Sequence, residues 1–181
     1  MVVEVVPYDE EWPDRFASIA RVLETTLGTV PGAAVEHVGS TSVPGLAAKP
    51  VIDVDVIVDR EHLPAAVTAL ESVGYVHRGD LGVTDREAFR APGDQPRRNV
   101  YVCVAGTLHV RNHLAIREVL RRRPDLREQY ATVKLALAAD PAMDIDSYLA
   151  GKSAVLQEVL AAADLTDEER LEIWRLNDPS V

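Results

Sequence analysis

The chain has 181 residues, of which 47% are hydrophobic and 27% charged, and its formal net charge is −10. That length suits one domain with a sizeable core, and the acidity excludes nucleic-acid binding through the surface at large. No apolar run reaches the roughly 18 residues of a transmembrane helix, and the single cysteine, Cys103, cannot close an internal disulfide.

The opening "MVVEVVPYDEEWPDRF" lacks a basic region ahead of an apolar one, so it does not read as a signal peptide. With the lone cysteine, this gives the expectation of a cytoplasmic protein without membrane association. Glu10 to Leu27 reads as a helix, because Trp12, Phe16, Ile19, Leu23 and Leu27 recur at spacings of 3 and 4. Pro13 falls in its first turn, where proline is tolerated. "GTVPGAA" is a loop, and "AVEHV" a short strand that delivers Gly39 and Ser40.

"PVIDVDVIVD" is the clearest strand, since Val51, Ile52, Val54, Val56, Ile57 and Val58 are β-branched. Asp53 and Asp55 share one of its faces, because strand side chains alternate. "REHLPAAVTALESVG" reads as a helix stopped by Gly74. "YVHRG" and "EAFRA" are two strands around the loop "DLGVTDR"; "APGDQPRR" is a turn, and "NVYVCV" another strand that buries Cys103.

From Thr107, an expected N-cap, the pattern turns helical. "LHVRNHLAIREVLRRR" runs to Pro124, "PDLREQYATVKLALAAD" is a second helix, and "DIDSYLAGKSAVLQEVLAAAD" an unbroken third. In the fourth, "TDEERLEIWRLND", Thr166 and Glu169 have the spacing of a capping box. The expected fold is therefore α+β. A mixed β-sheet with flanking helices occupies about residues 1–105 and a helical portion about 106–181, in a single domain over 1–181.

Charge is unevenly spread. Arg86 to Lys134 holds 11 Lys and Arg against 5 Asp and Glu, whereas Asp140 to Val181 holds 3 against 10. A basic middle in an acidic chain suits an anionic small molecule, although the triplet Arg121, Arg122 and Arg123 reads as a solvated helix end.

The stretch "EHVGSTSVPGLAAKPVIDVDVIV" carries the chemistry. Two carboxylates at i and i+2 on one strand face repel unless a cation joins them. Mg²⁺ meets that need with one or two carboxylates and substrate phosphates. The Gly39-Ser40 turn brings backbone N–H groups and a hydroxyl to a phosphate, Thr41 adds a donor, and Lys49 a positive charge.

These residues, together with "VEVVPYDEEWPDRF", "NHLAIREVLRRRPDLREQYATVKLALA" and "YLAGKSAVLQEVL", closely resemble the GrpB family over roughly Val3 to Ala163. That family is assigned to the polymerase-β-like nucleotidyltransferase superfamily. The resemblance implies a Gly-Ser turn, a DxD pair and a third carboxylate on a later strand, around metals that promote attack on the α-phosphorus of a nucleoside triphosphate. Gly39, Ser40, Asp53 and Asp55 match the first two elements. The third is missing: "NVYVCV" offers Asn99 and Tyr101 but no acid, and Glu87 is the nearest upstream carboxylate.

The expected catalytic and Mg²⁺-binding residues are thus Asp53 and Asp55. His37, Gly39, Ser40, Thr41, Lys49, Arg90, Asn99, Arg117, Tyr130, Lys134 and Lys152 are the expected contacts to the phosphorylated ligand. Arg111 is expected near them. Tyr130 also fits an apolar stripe, Lys152 a helix surface, and His37 a structural histidine. "LAGKS" is not a P-loop, because Asp146 stands where its first glycine belongs. His109 and His113 have a metal-binding i, i+4 spacing but no third ligand in the sequence pattern, so they read as structural.

Two functions follow as expectations. One is Mg²⁺-dependent transfer of a nucleotidyl group from a nucleoside triphosphate to a small-molecule hydroxyl. The alternative is a non-catalytic phosphate-binding or folding-assistance module, with a protein partner, like the GrpB-type domain fused to dephospho-coenzyme A kinase.

Overall fold

The computed structural model describes residues 3–177. The first helix, α1 (Trp12–Thr26), has Pro13 in its opening turn, as its sequence requires. β1 (Ala34–Val38) leads into a short 3-10 turn at Ser40–Ser42, and β2 (Ile52–Val58) follows. A second 3-10 turn, Arg60–His62, precedes α2 (Leu63–Ser72). β3 (Val76–His77), β4 (Arg86–Arg90) and β5 (Arg98–Val104) complete a five-stranded mixed sheet of order β1-β2-β5-β4-β3. β2 and β5 pair in parallel at its centre, and the other pairings are antiparallel.

Helices α3 (Leu108–Arg122), α4 (Pro124–Ala138), α5 (Ile145–Gly151), α6 (Ser153–Ala161) and α7 (Asp167–Asn177) make up the rest. Among the described residues, no helix is long and apolar enough to cross a membrane. Asp178, the last residue of the fourth expected helix, lies outside the described residues.

Two local expectations are corrected. Thr107 does not cap α3 with its side chain; its hydroxyl donates to Val104 O instead (2.8 Å). The expected third C-terminal helix is two helices, α5 and α6, which part at Lys152. The break follows Gly151, the weakest helix former in the segment. A Cβ there would lie 2.7 Å from Leu137 Cδ2, so the glycine also lets α4 pack close. The capping box before α7 forms: Thr166 N donates to Glu169 Oε2 (2.8 Å) and Glu169 N to Thr166 Oγ1 (3.2 Å).

The two faces of the central strands differ in chemistry. Ile52, Val54, Val56 and Val58 of β2 and Val100 and Val102 of β5 pack on Ile19 and Leu23 of α1 and Ala66 and Leu70 of α2. Burial of these apolar side chains drives the sheet onto its first two helices. The opposite face carries Asp53 and Asp55, with Asn99 and Tyr101 as their register partners on β5. A second apolar cluster, built from Val43, Leu46, Val119, Leu120, Tyr130, Leu156 and Val159, ties the C-terminal helices to the loop after the Gly-Ser turn. The polar sheet face is thereby roofed by helices that it does not itself attract.

Candidate functional site

Period-2 alternation places Asp53 and Asp55 on one face of β2, and their environments then part. Asp53 is half-buried and faces a cleft; Asp55 is fully buried. Asp53 Oδ1 accepts from Asn99 Nδ2 at 2.8 Å, directly across the parallel pair. Burial raises the Asp53 pKa, against the opposing pull of the Asn99 hydrogen bond and of positive charge at His113 and Lys152. Asp55 Oδ2 instead meets His113 Nδ1 at 2.8 Å, while Oδ1 has no hydrogen-bond partner. Asp55 is therefore shut behind His113, and of the two carboxylates expected at the cleft only Asp53 faces it.

Gly39 begins the turn beside Asp53 with φ +70°, and a Cβ built there would lie 2.3 Å from Asp53 Oδ2. Only glycine permits this approach of backbone to carboxylate. Ser40 follows at the cleft wall, its hydroxyl accepting from Lys134 Nζ at 3.0 Å. Ser42 Oγ closes the turn onto Gly39 O (2.6 Å), and Arg121 forks onto Ser42 O through Nε and Nη2 (3.1 and 2.7 Å). Arg121 is thus a clamp on the turn rather than a solvated helix end.

Three adjoining cavities form the cleft. Two inner ones, of about 210 Å³ each, share Ser40, Asp53 and Lys152. An outer groove of about 680 Å³ joins them through Lys49, Asn99 and Tyr101, and Arg90 lines it. Lys49 and Lys152 flank one ring, with their Nζ atoms 5.6 and 5.4 Å from the centroid of Tyr148. Burial lowers both lysine pKa values; their mutual repulsion adds for Lys49, and Asp53 opposes for both. Two like charges held together over an apolar ring attract an anion.

Of the expected site residues, the structure brings Asp53 and the ligand contacts Gly39, Ser40, Thr41, Lys49, Asn99, Tyr130, Lys134 and Lys152 to the inner cavities and Arg90 to the outer groove. Two of these act from behind. Lys134 is almost wholly buried, donates to Ser40 Oγ and Ala47 O, and sits over the Tyr130 ring. Its burial, aided by Lys152, lowers its pKa to about 7. Thr41 is 1% exposed and ties His37 to Val51 O. Both brace the turn instead of presenting free donors.

Two expectations do not fit their placement. His37 lies opposite Val54 on the apolar sheet face, stacks on Phe16 at 4.5 Å, and meets Thr41 Oγ1 at 3.0 Å. Burial first, then Arg121 and Arg117, lowers its pKa to about 4, so it stays neutral. Arg117 spends its guanidinium on Glu36 Oε2 (2.7 Å), His37 O (2.8 Å) and Glu118 Oε1 (3.0 Å). Arg111 likewise pairs with Glu169. Each guanidinium satisfies its fork on neighbouring acids, which withdraws it from the cleft.

Sequence reasoning missed Arg86, His113 and Tyr148. Arg86 lines an inner cavity with its guanidinium 4.8 Å from the Tyr101 ring centroid. Its register opposite Cys103 puts it on the polar face, a fact set by strand pairing. Glu87, one residue on, lies opposite Val102 on the apolar face and bonds His77 at 2.6 Å. It is on the wrong side of the sheet to replace the missing carboxylate; Asn99 occupies the position beside Asp53.

The family model described as "GrpB protein" matches residues 2–162. A UPF0157 protein of Pseudomonas aeruginosa is 38% identical over 165 residues, covering 89% of this chain and 67% of that one. The dephospho-CoA kinase of Mycolicibacterium paratuberculosis is 30% identical over 176 residues, 83% of this chain and 43% of that protein. The crystal structure of conserved protein GrpB from Enterococcus faecalis matches with TM-score 0.76 and 32% identity, covering 94% of this chain and 99% of that one. A chain of the GLD-2/RNP-8 complex matches with TM-score 0.56 at 13% identity, over 86% of this chain and 61% of that one, which shows the fold alone. The α+β fold, a mixed sheet with flanking helices, is thus shared with both of these solved structures.

Proposed function

The chain belongs to the GrpB family, and on that premise we propose that its cleft binds a nucleoside triphosphate with Mg²⁺ and passes the nucleotidyl group to a small-molecule hydroxyl. The contact between Gly39 and Asp53 carries this reading, because it sets a phosphate-cradling turn against a half-buried carboxylate. Ser40 and the turn amides would hold phosphate oxygens, and Lys49 and Lys152 would balance their charge. Mg²⁺ fits the donor set: it takes one or two carboxylates and keeps waters, and Asp53 faces open space. Bound there, it would neutralise the phosphates.

Transfer forms a bond between the acceptor oxygen and the α-phosphorus and breaks the bond to pyrophosphate. The acceptor proton needs a base, and Asn99 cannot supply one. His113 lines the same cavity and is held at Nδ1 by Asp55. With Nδ1–H donating to Asp55 Oδ2, the Nε2 lone pair would be left to accept the proton from the hydroxyl.

Asn99 opposite Asp53 also favours a second reading, in which the cleft binds a phosphorylated small molecule without turning it over. Thermal unfolding of wild type and Asp53→Asn against nucleoside triphosphates, with and without Mg²⁺, separates the two. A ligand at about 100 times its Kd adds roughly 2.7 kcal/mol, or about 5–10 °C for a chain of this length. A Mg²⁺-dependent shift lost in Asp53→Asn, with pyrophosphate release in an acceptor screen, supports the transferase. A metal-independent shift, with these nucleotides or with coenzyme A-type phosphates, supports the binding module. No shift with any nucleoside triphosphate sinks the transferase.

A further inference from the structure

Behind the cleft, three metal-ligating side chains meet that neither function above uses together. Asp55 of β2, Cys103 of β5 and His109 of α3 place one ligand atom each within 4.8 Å of one another. Asp55 and Cys103 are both 0% exposed. Asp55 Oδ1 and His109 Nε2 are buried without a hydrogen-bond partner, and Cys103 is a free thiol. A buried polar atom with its hydrogen bond unmade is destabilising, and here a buried acceptor and a buried imidazole nitrogen go unpartnered beside the same thiol. We propose that Asp55, Cys103 and His109 form an interior site for a single zinc ion.

The ligand chemistry selects the ion. Thiolate and imidazole are poor ligands for Mg²⁺ and good ones for Zn²⁺, which accepts a carboxylate as its third donor. The set is also well braced. The second carboxylate oxygen, Oδ2, is held by His113 at 2.8 Å, which leaves Oδ1 for the ion. The His109 ring is steadied between Tyr101 at 6.0 Å and His113 at 4.1 Å, centroid to centroid. Such outer partners fix ligand orientation in metal sites. Filling the site replaces the thiol S–H bond with an S–Zn bond and releases one proton to solvent, so affinity rises with pH. The ion would link the sheet centre to α3, whose His113 lines the cleft.

The test uses the full chain, stripped of metal with a chelator and titrated with Co²⁺ and then Zn²⁺ in excess Mg²⁺. The expected result is one Co²⁺ per chain with a thiolate-to-cobalt charge-transfer band, bleached by Zn²⁺ and unaffected by Mg²⁺. Cys103→Ser, which nearly preserves volume, should remove the band and weaken Zn²⁺ binding by at least about 100-fold, while His109→Gln weakens binding with the thiolate band displaced. A wild-type chain that shows no such band, or binds Co²⁺ equally well as Cys103→Ser, overturns the proposal. The wild-type arm needs no variant to fold. The site is independent of the nucleotide reading, so a Mg²⁺·triphosphate shift that survives in Cys103→Ser is expected, and failure of either reading leaves the other standing.

Discussion

Gly39 and Asp53 approach so closely that a single added methyl group would overlap the carboxylate: the Cβ position lies 2.3 Å from Asp53 Oδ2 and 3.0 Å from its Cβ. The backbone at Gly39, φ +70° and ψ −174°, is also a region that other residues essentially do not occupy. Gly39→Ala is expected to cost about 1–3 kcal/mol through the backbone alone, and to abolish triphosphate-dependent stabilisation because the turn must move off Asp53. Denaturant unfolding and ligand titration of the one variant check both effects; wild-type values for both would mean the turn does not need its glycine.

Asn99→Asp restores an acid opposite Asp53. Two carboxylates facing each other across a strand pair destabilise, by up to about 1 kcal/mol, so the variant should unfold at a lower temperature than wild type in chelator. Mg²⁺ should reverse the deficit, since the pair now offers the ion two carboxylates. A variant that Mg²⁺ does not restore would place the ion elsewhere.

Lys134 supports Ser40 from a nearly dry position, and its pKa falls to about 7 from an ordinary 10.5. Between those values the unfolded chain keeps a proton that the folded chain has given up, so this group adds stability as pH rises. Wild type should therefore gain about 3 kcal/mol on Lys134→Met between pH 7 and pH 9.5. Parallel urea unfolding curves measure it; a pH-independent difference would show the ammonium is not desolvated. The methionine variant should also bind triphosphate more weakly, because Ser40 loses its donor.

His37 titrates near 4 when folded against an ordinary 6.5, because burial and the arginines at 121 and 117 disfavour its charge. The unfolded chain then binds more protons in that window, so stability is complete above about pH 6.5 and declines as pH falls toward 4. His37→Gln keeps a partner for Thr41 and lacks the titration. Its stability curve between pH 7 and pH 5 should be flatter than wild type by about 2 kcal/mol, as read by chemical denaturation. Equal slopes would show that His37 is solvated.

Much of the fold was legible because strong periodicity survives into structure. Trp12, Ile19 and Leu23 mark α1, and alternating valines mark β2. The break at Lys152 was less so: Gly151 weakens the helix locally, but a lone glycine among good helix formers does not by itself end one, and its close approach to Leu137 of α4 is a tertiary fact. In the cleft, the Gly-Ser and Asp53 cluster was readable because all its residues fall within one short stretch of chain. His37 and Arg117 were misplaced for one reason: sequence gives a residue's neighbours along the chain, not the face it turns to or the acid that captures it.

By itself, then, the sequence determined the α+β architecture, the strand that carries Asp53 and Asp55, and the Gly-Ser turn beside them, because these rest on local period and backbone freedom. Tertiary structure decided which aspartate meets the cleft. It set Asn99 across from Asp53 and Arg86 on the polar face, and it brought Cys103 and His109 to Asp55. Those relations depend on strand register and on helix α3 crossing the sheet, and register is a property of paired segments that no single segment contains.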